Sequence, residues 1–187
     1  MKVVELARVE PQPWRNGGGV TYELLAWPRA DDWALRVSVA EIARDGPFSA
    51  FEGVDRVFAV LTGDGVRLDW PAGSVTLGVD SPPLAFDGGM PPRSTLVGGA
   101  TRDLNLMLRR AQASGTLVRA THGSAWTSDA PWRALLTLAA ARLAIDGAQP
   151  FALPAWSLAF GADACGQCWR LGAEAASAAY WIEARPR

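Results

Sequence analysis

Asp103-Leu104-Asn105-Leu106-Met107-Leu108 places three leucines on one side of an extended chain and Asp103, Asn105 and Met107 on the other. Trp33-Ala34-Leu35-Arg36-Val37-Ser38-Val39 repeats the arrangement, with Leu35, Val37 and Val39 against Arg36 and Ser38. A period of two marks a β-strand whose faces meet different surroundings, so these stretches point to an all-β fold. Outward from them, 19 glycines and 13 prolines cut the 187-residue chain into short segments, a spacing that favours strands over helices. Strands are expected over Thr21 to Ala26, Arg56 to Leu61, Val66 to Trp70, Ser74 to Leu77, Leu84 to Phe86 and Arg93 to Val97. Gly63-Asp64-Gly65 reads as a hairpin turn that needs positive φ. Residues 133–144 have the helix propensity of an Ala/Leu run, but Asp146-Gly147 behind them resembles a hairpin turn, and strands are expected there too.

The later part of the chain echoes the earlier part. Val75-Thr76-Leu77 followed by Pro82-Pro83-Leu84-Ala85-Phe86 has its counterpart in Pro150-Phe151-Ala152-Leu153-Pro154 followed by Trp156-Ser157-Leu158-Ala159-Phe160. Two β-rich halves, joined near Gln112 to Gly123, are expected as jelly-roll-like sandwiches packed together to protect their sheet edges.

Charge and composition narrow the function. With 18 Lys+Arg against 19 Asp+Glu and no basic block, there is no electrostatic footprint for nucleic acid or an anionic membrane. No stretch approaches the roughly 18–20 apolar residues that span a bilayer, and Met1-Lys2-Val3-Val4-Glu5-Leu6 lacks the apolar run of a secretory leader; a cytoplasmic location is expected. A multi-His metal centre needs several imidazoles, and His122 is the only one, so neither metal nor cofactor is expected, and any His-based triad would hang on that residue. His122 is expected in an exposed loop. Cys165-Gly166-Gln167-Cys168 is a lone pair without the partners of a zinc site and reads as a turn between strands. Lys2 is the only lysine and the other 17 cationic side chains are arginines, so an anion here would meet planar guanidinium forks.

Four segments are candidates for a small-molecule site. Trp14-Arg15-Asn16-Gly17-Gly18-Gly19 carries three glycines that weaken regular structure by about 0.5–1 kcal/mol each. A ligand cradled by Asn16, Arg15 and the N–H groups of Gly17 and Gly18 would explain them, and so would a tight turn with Trp14 as a core plug. Arg36 and Ser38 share the polar face of one strand and Asp103, Asn105 and Met107 that of another; such a face points to solvent or into a lumen. Asp103 has a structural alternative, an ion pair with Arg102 or Arg56. Asp45-Gly46-Pro47-Phe48-Ser49 forms a turn that presents Phe48 and Phe51 at a pocket rim or merely closes a barrel end. Asp55-Arg56 reads as a local ion pair first and a site second.

The series Pro13-Trp14-Arg15-Asn16-Gly17-Gly18-Gly19-Val20-Thr21-Tyr22-Glu23, Asp32-Trp33 with Arg36 and Ser38, Asp45-Gly46-Pro47-Phe48-Ser49 with Phe51, Gly53, Asp55 and Arg56, and Asp103-Leu104-Asn105 with Met107, Arg109 and Arg110 resembles the HutD family, which includes the Ves proteins. The resemblance ends near residue 112; it departs from the family pattern at Arg15, commonly a lysine, and at Gly88-Gly89, where an acid is missing. It implies a double-stranded β-helix bicupin: a barrel over 1–111 bearing the motifs and a degenerate barrel over 112–187 packed on it. It also implies capture of a small carboxylate of histidine breakdown, such as urocanate, formiminoglutamate or formylglutamate, to modulate flux. The expected ligand-binding set is Trp14, Arg15, Asn16, Gly17, Gly18, Arg36, Ser38, Phe48, Arg56, Asn105 and Met107. Binding is favoured over catalysis. A metal-independent enzyme using Glu or Asp is the second reading, and an interaction module with a vestigial pocket, acting as a homodimer, is the third.

Overall fold

In the computed structural model, residues 1–123, 125–172 and 178–187 are described. They form nineteen strands, a single 3-10 turn at Leu6–Arg8 and no α-helix. In chain order the strands are β1 (Lys2–Glu5), β2 (Gln12–Pro13), β3 (Gly19–Pro28), β4 (Trp33–Ile42), β5 (Gly46–Pro47), β6 (Val54–Thr62), β7 (Val66–Trp70), β8 (Gly73–Leu77), β9 (Leu84–Asp87), β10 (Arg93–Leu96) and β11 (Thr101–Arg109). Then come β12 (Ala113–Arg119), β13 (Ala125–Thr127), β14 (Trp132–Thr137), β15 (Ala141–Ile145), β16 (Phe151–Leu153), β17 (Ser157–Gly161), β18 (Cys168–Leu171) and β19 (Ala179–Pro186). The chain divides into two units, Glu10–Ala113 and Met1–Val9 with Ser114–Arg187.

The first unit has a six-stranded sheet in the order β2-β3-β4-β11-β6-β9 and a four-stranded sheet in the order β5-β10-β7-β8. Every pairing is antiparallel. The sheets enclose a core of Ile42, Phe58 and Val60 from the larger sheet with Val66, Leu68 and Leu77 from the smaller. The alternation read in the sequence is realised in β4 and β11, where Leu35, Val37, Val39, Leu104 and Leu106 are fully buried on one face. Their polar neighbours Ser38, Asp103 and Asn105 are also buried, so the second face of these central strands is sheltered as well.

The second unit repeats the plan with a five-stranded sheet, β1-β17-β14-β19-β12, and a four-stranded sheet, β13-β18-β15-β16. Replacing β4 to β11 of the first unit by β12 to β19, in sequence order, reproduces the arrangement strand for strand. The sequence echo falls on matching pairs, β8 and β9 with β16 and β17. Trp132–Thr137 and Ala141–Ile145 are strands, not a helix, and Asp146 and Gly147 take positive φ of 51° and 73° in the turn between β15 and its antiparallel partner β16.

Three expectations need correction. Among the described residues the four sheets run in open strand orders, and none closes on itself into a barrel. Met1 to Val9 do not join the first half, because β1 pairs along β17, from Lys2 opposite Phe160 to Glu5 opposite Ser157. Gly63-Asp64-Gly65 is not a hairpin: β6 and β7 lie in different sheets, and the turn carries the chain between them with positive φ at Gly63 and Gly65.

Candidate functional site

Between the sheets of the first unit the apolar core gives way to a cavity of about 450 Å³. Its floor comes from the three central strands of the larger sheet. Arg36, Met107 and Arg56 lie in register across β4, β11 and β6, and Ser38 lies opposite Asn105 in the neighbouring row. One wall is the Trp14-Arg15-Asn16 segment, and another is Phe48, Ser49 and Phe51 from the chain after β5.

Arg56 is the most constrained group. Alternation along β6 turns Asp55 outward to Arg110, 2.8 Å away, and Arg56 inward, leaving it 7% exposed; the local Asp55-Arg56 pair does not form. Its guanidinium sits over three rings, 5.0 Å from the centroid of Phe48, 5.8 Å from Phe51 and 5.1 Å from Phe86. Nη2 donates to Asn105 Oδ1 at 2.5 Å, Nε has no hydrogen-bond partner, and among the described residues no carboxylate is in ion-pair contact with it. Burial lowers its pKa to about 10, opposed by Asp103 and reinforced by Arg36, so it stays charged at neutral pH.

Asn105 transmits this contact to Asp103, donating from Nδ2 to Oδ1 at 2.5 Å. Asp103 is 1% exposed, and its Oδ2 has no partner. Desolvation pushes its pKa up to about 8, with Arg56 and the Asn105 bond pulling the other way. Burial wins because neither favourable group is a direct ion-pair partner. Neither of the two expected pairs for Asp103 is made, since Arg102 instead donates to Glu41 at 3.2 Å. Arg36 lies 3.2 Å from Glu23 Oε2, close enough for an ion pair but not aligned for a hydrogen bond from Nε.

The cavity gathers Trp14, Arg15, Asn16, Arg36, Ser38, Phe48, Arg56, Asn105 and Met107. Gly17 and Gly18 are not in its lining. Their N–H groups are occupied, Gly17 donating to Trp14 O at 3.0 Å and Gly18 to Asn16 Oδ1 at 2.9 Å. Two glycines of the run are required by the fold, Gly17 by its φ of +67° and Gly19 because a Cβ there would clash with the Glu41 carbonyl oxygen. The glycines close a turn, and Trp14 anchors it by donating from Nε1 to Thr21 at 2.8 Å. Asp103 and Phe51 belong to the cavity although the expected set omitted them; alternation along β11 was the available signal for Asp103.

The second unit fills the corresponding interior. Trp126 stacks on Trp181 at 4.7 Å, and Trp169 meets both rings edge-on. His122 is half-buried in this unit, with Nδ1 3.0 Å from Gly172 O. Cys165 and Cys168 are free thiols, and among the described residues no three His, Cys, Asp or Glu side chains form a metal-binding group. No helix among these residues is long and apolar enough to cross a membrane.

The model of the HutD family matches residues 6–178. An uncharacterized 21.2 kDa protein in the hutC 3′ region of Pseudomonas putida is 38% identical over 114 residues, 57% of this chain and 59% of that protein. Protein Ves of Citrobacter koseri is 36% identical over 112 residues, 59% of each chain. The chain thus covers 59% of the length of either relative. A conserved protein of unknown function from Pseudomonas aeruginosa PAO1 superposes with a TM-score of 0.90 at 27% identity, covering 100% of this chain and 98% of that one. HutD from Pseudomonas fluorescens SBW25 gives 0.86 at 24%, with the same coverage. Oxalate decarboxylase of Bacillus subtilis, a cupin-type protein, gives 0.63 at 7%, covering 99% of this chain and 77% of that one, a likeness of fold alone.

Proposed function

The chain belongs to the HutD family, and from that premise we propose that the first unit's cavity captures a small carboxylate metabolite of histidine degradation, with urocanate, formiminoglutamate and formylglutamate as the candidates. The observation that carries this reading is Arg56. A cation 7% exposed, facing a cavity without a carboxylate in contact, bears a desolvation cost that an incoming anion would offset. A charge-assisted bond to it contributes about 1.5–3 kcal/mol. Met107, between Arg36 and Arg56, offers an apolar surface to the ligand's stem, and Phe48 and Phe51 exclude water from the guanidinium. The link to histidine degradation rests on the family name and on the description of the P. putida relative as lying in a hutC 3′ region.

The role we assign is regulatory capture that limits flux, without metal or cofactor, in the cytoplasm, by a monomer or homodimer. The common strand order of the two units supports reading them as two cupin domains, of which the first keeps its pocket. Calorimetric titration with urocanate, formiminoglutamate and formylglutamate tests the reading. Saturable heat with at least one of them is expected at or below millimolar concentration, and no heat with any of them overturns it.

A further inference from the structure

The buried polar row contains an asymmetry that bears on how an anion would be held. Asn105 bridges Arg56 and Asp103 with one amide: its oxygen accepts from the guanidinium and its nitrogen donates to the acid. A carboxylate has nearly the same planar three-atom shape, so one placed beside that amide would reach the same two groups. It differs in having two acceptors and no donor. On the Arg56 side it meets N–H groups, but on the Asp103 side it needs a proton that an ionised Asp103 would not supply.

We infer that Asp103 is the proton-holding partner of the site, donating from Oδ2 to a carboxylate seated at Arg56, so that the anion is held between a guanidinium and a carboxylic acid. This rests on the capture proposed above and adds that capture requires protonated Asp103. The geometry supports it on three counts. Oδ2 is buried and has no partner; among the described residues Asp103 is the only carboxylate in the cavity lining; and its Oδ1 is already used by Asn105, which leaves Oδ2 for the ligand. The charged groups that share the cavity lining with it are Arg56 from β6, Arg36 from β4, which pairs with Glu23 from β3, and Arg15 from the turn before β3. The excess of guanidinium is what keeps an anion welcome while Asp103 stays neutral. No proton is transferred in the complex; it remains on Asp103 and is shared in a hydrogen bond.

Because the Asp103 pKa lies at about 8, the acid is already protonated at neutral pH, and binding above that value must recruit a proton. Titrations of urocanate, formiminoglutamate and formylglutamate at pH 7 and pH 9 should therefore show affinity falling about tenfold for each compound that binds. Asp103→Asn, whose amide donates without titrating, should lose the fall between pH 7 and pH 9. Constant affinity between pH 7 and pH 9 in wild type, or the same fall in Asp103→Asn, overturns the inference and leaves the capture reading standing; failure of all three compounds to bind overturns both. Should the variant not fold, wild-type calorimetry at pH 9 in two buffers of different ionisation heat gives the answer: uptake approaching one proton supports the inference, and zero uptake overturns it.

Discussion

Arg56 and Arg133 occupy matching strands of the two units, β6 and β14, and are buried to 7% and 0% exposure, yet their surroundings differ in kind. Arg133 donates twice to backbone carbonyls, from Nη1 to Gln167 O at 2.5 Å and from Nη2 to Trp126 O at 2.6 Å, while its Nε, like that of Arg56, has no partner. Its guanidinium lies over Trp126 at 4.0 Å and Trp169 at 4.9 Å. Arg56 also lies over aromatic rings, but it has one amide oxygen and a cavity where Arg133 has two carbonyls. The register shows what changed. Opposite Arg56 stands Met107, with Asn105 and Asp103 following at alternate positions; opposite Arg133 stands Glu183, with Trp181 and Ala179 in the corresponding places. Trp181 stands in the place of the asparagine and, packed with Trp126 and Trp169, makes a core where the first unit has a polar floor. The same strand plan therefore supports a binding site or a stable filler, depending on which side chains alternate inward.

The largest expected effect sharpens this difference. Trp181→Asn, which puts the first unit's residue into the second, should destabilise the protein by about 3–5 kcal/mol, as deletion of a large core aromatic does, read from urea unfolding. It should create no new carboxylate binding, because both Nη groups of Arg133 stay bonded to carbonyls and Trp126 and Trp169 still cover its guanidinium. Arg56→Met should do the reverse. Stability should hold or rise when a buried unpaired cation is removed, while carboxylate affinity falls by about 10- to 150-fold, the equivalent of 1.5–3 kcal/mol. Equal stability losses from Arg56→Met and Arg133→Met would break the comparison.

A further effect concerns pH. In the unfolded chain Asp103 releases its proton near its ordinary value of 3.8, whereas the folded chain holds it to about 8. The stabilisation is therefore fully present below pH 3.8 and is lost as pH rises towards 8, with a limiting slope of about 1.4 kcal/mol per pH unit. Wild type minus Asp103→Asn, compared by unfolding at pH 5 and pH 8, should show that decline; a flat difference would contradict it. The smallest effect separates turn from site. Gly17→Ala forces a Cβ into φ +67° with open space around it, costing about 1–2 kcal/mol, and should leave carboxylate affinity unchanged in the folded protein. Loss of binding without loss of stability would return the glycine run to the site.

What could be read from the chain alone follows the range of the interactions. Alternation is local, so the inward faces of β4 and β11 were legible, and with them Arg36, Ser38, Asn105 and Met107. Alternation along β6 also turns Arg56 inward, but its adjacency to Asp55 suggested an ion pair, and only the position of Arg110 shows where Asp55 turns. The glycine run left a cradle and a tight turn both open, because what decides at Gly19 is distant in sequence, the Glu41 carbonyl. The docking of β1 on β17 joins residues more than 150 positions apart, beyond anything that local pattern encodes. The proton on Asp103 depends on burial from all sides, which no spacing reveals.

The most direct measurement is a crystal structure of the protein grown with whichever of urocanate, formiminoglutamate or formylglutamate gives the strongest calorimetric signal. A carboxylate within hydrogen-bond distance of the Arg56 guanidinium, with its second oxygen towards Asp103 Oδ2, is the predicted result. A ligand held elsewhere with Arg56 untouched, or a cavity still empty at saturating ligand, would contradict it.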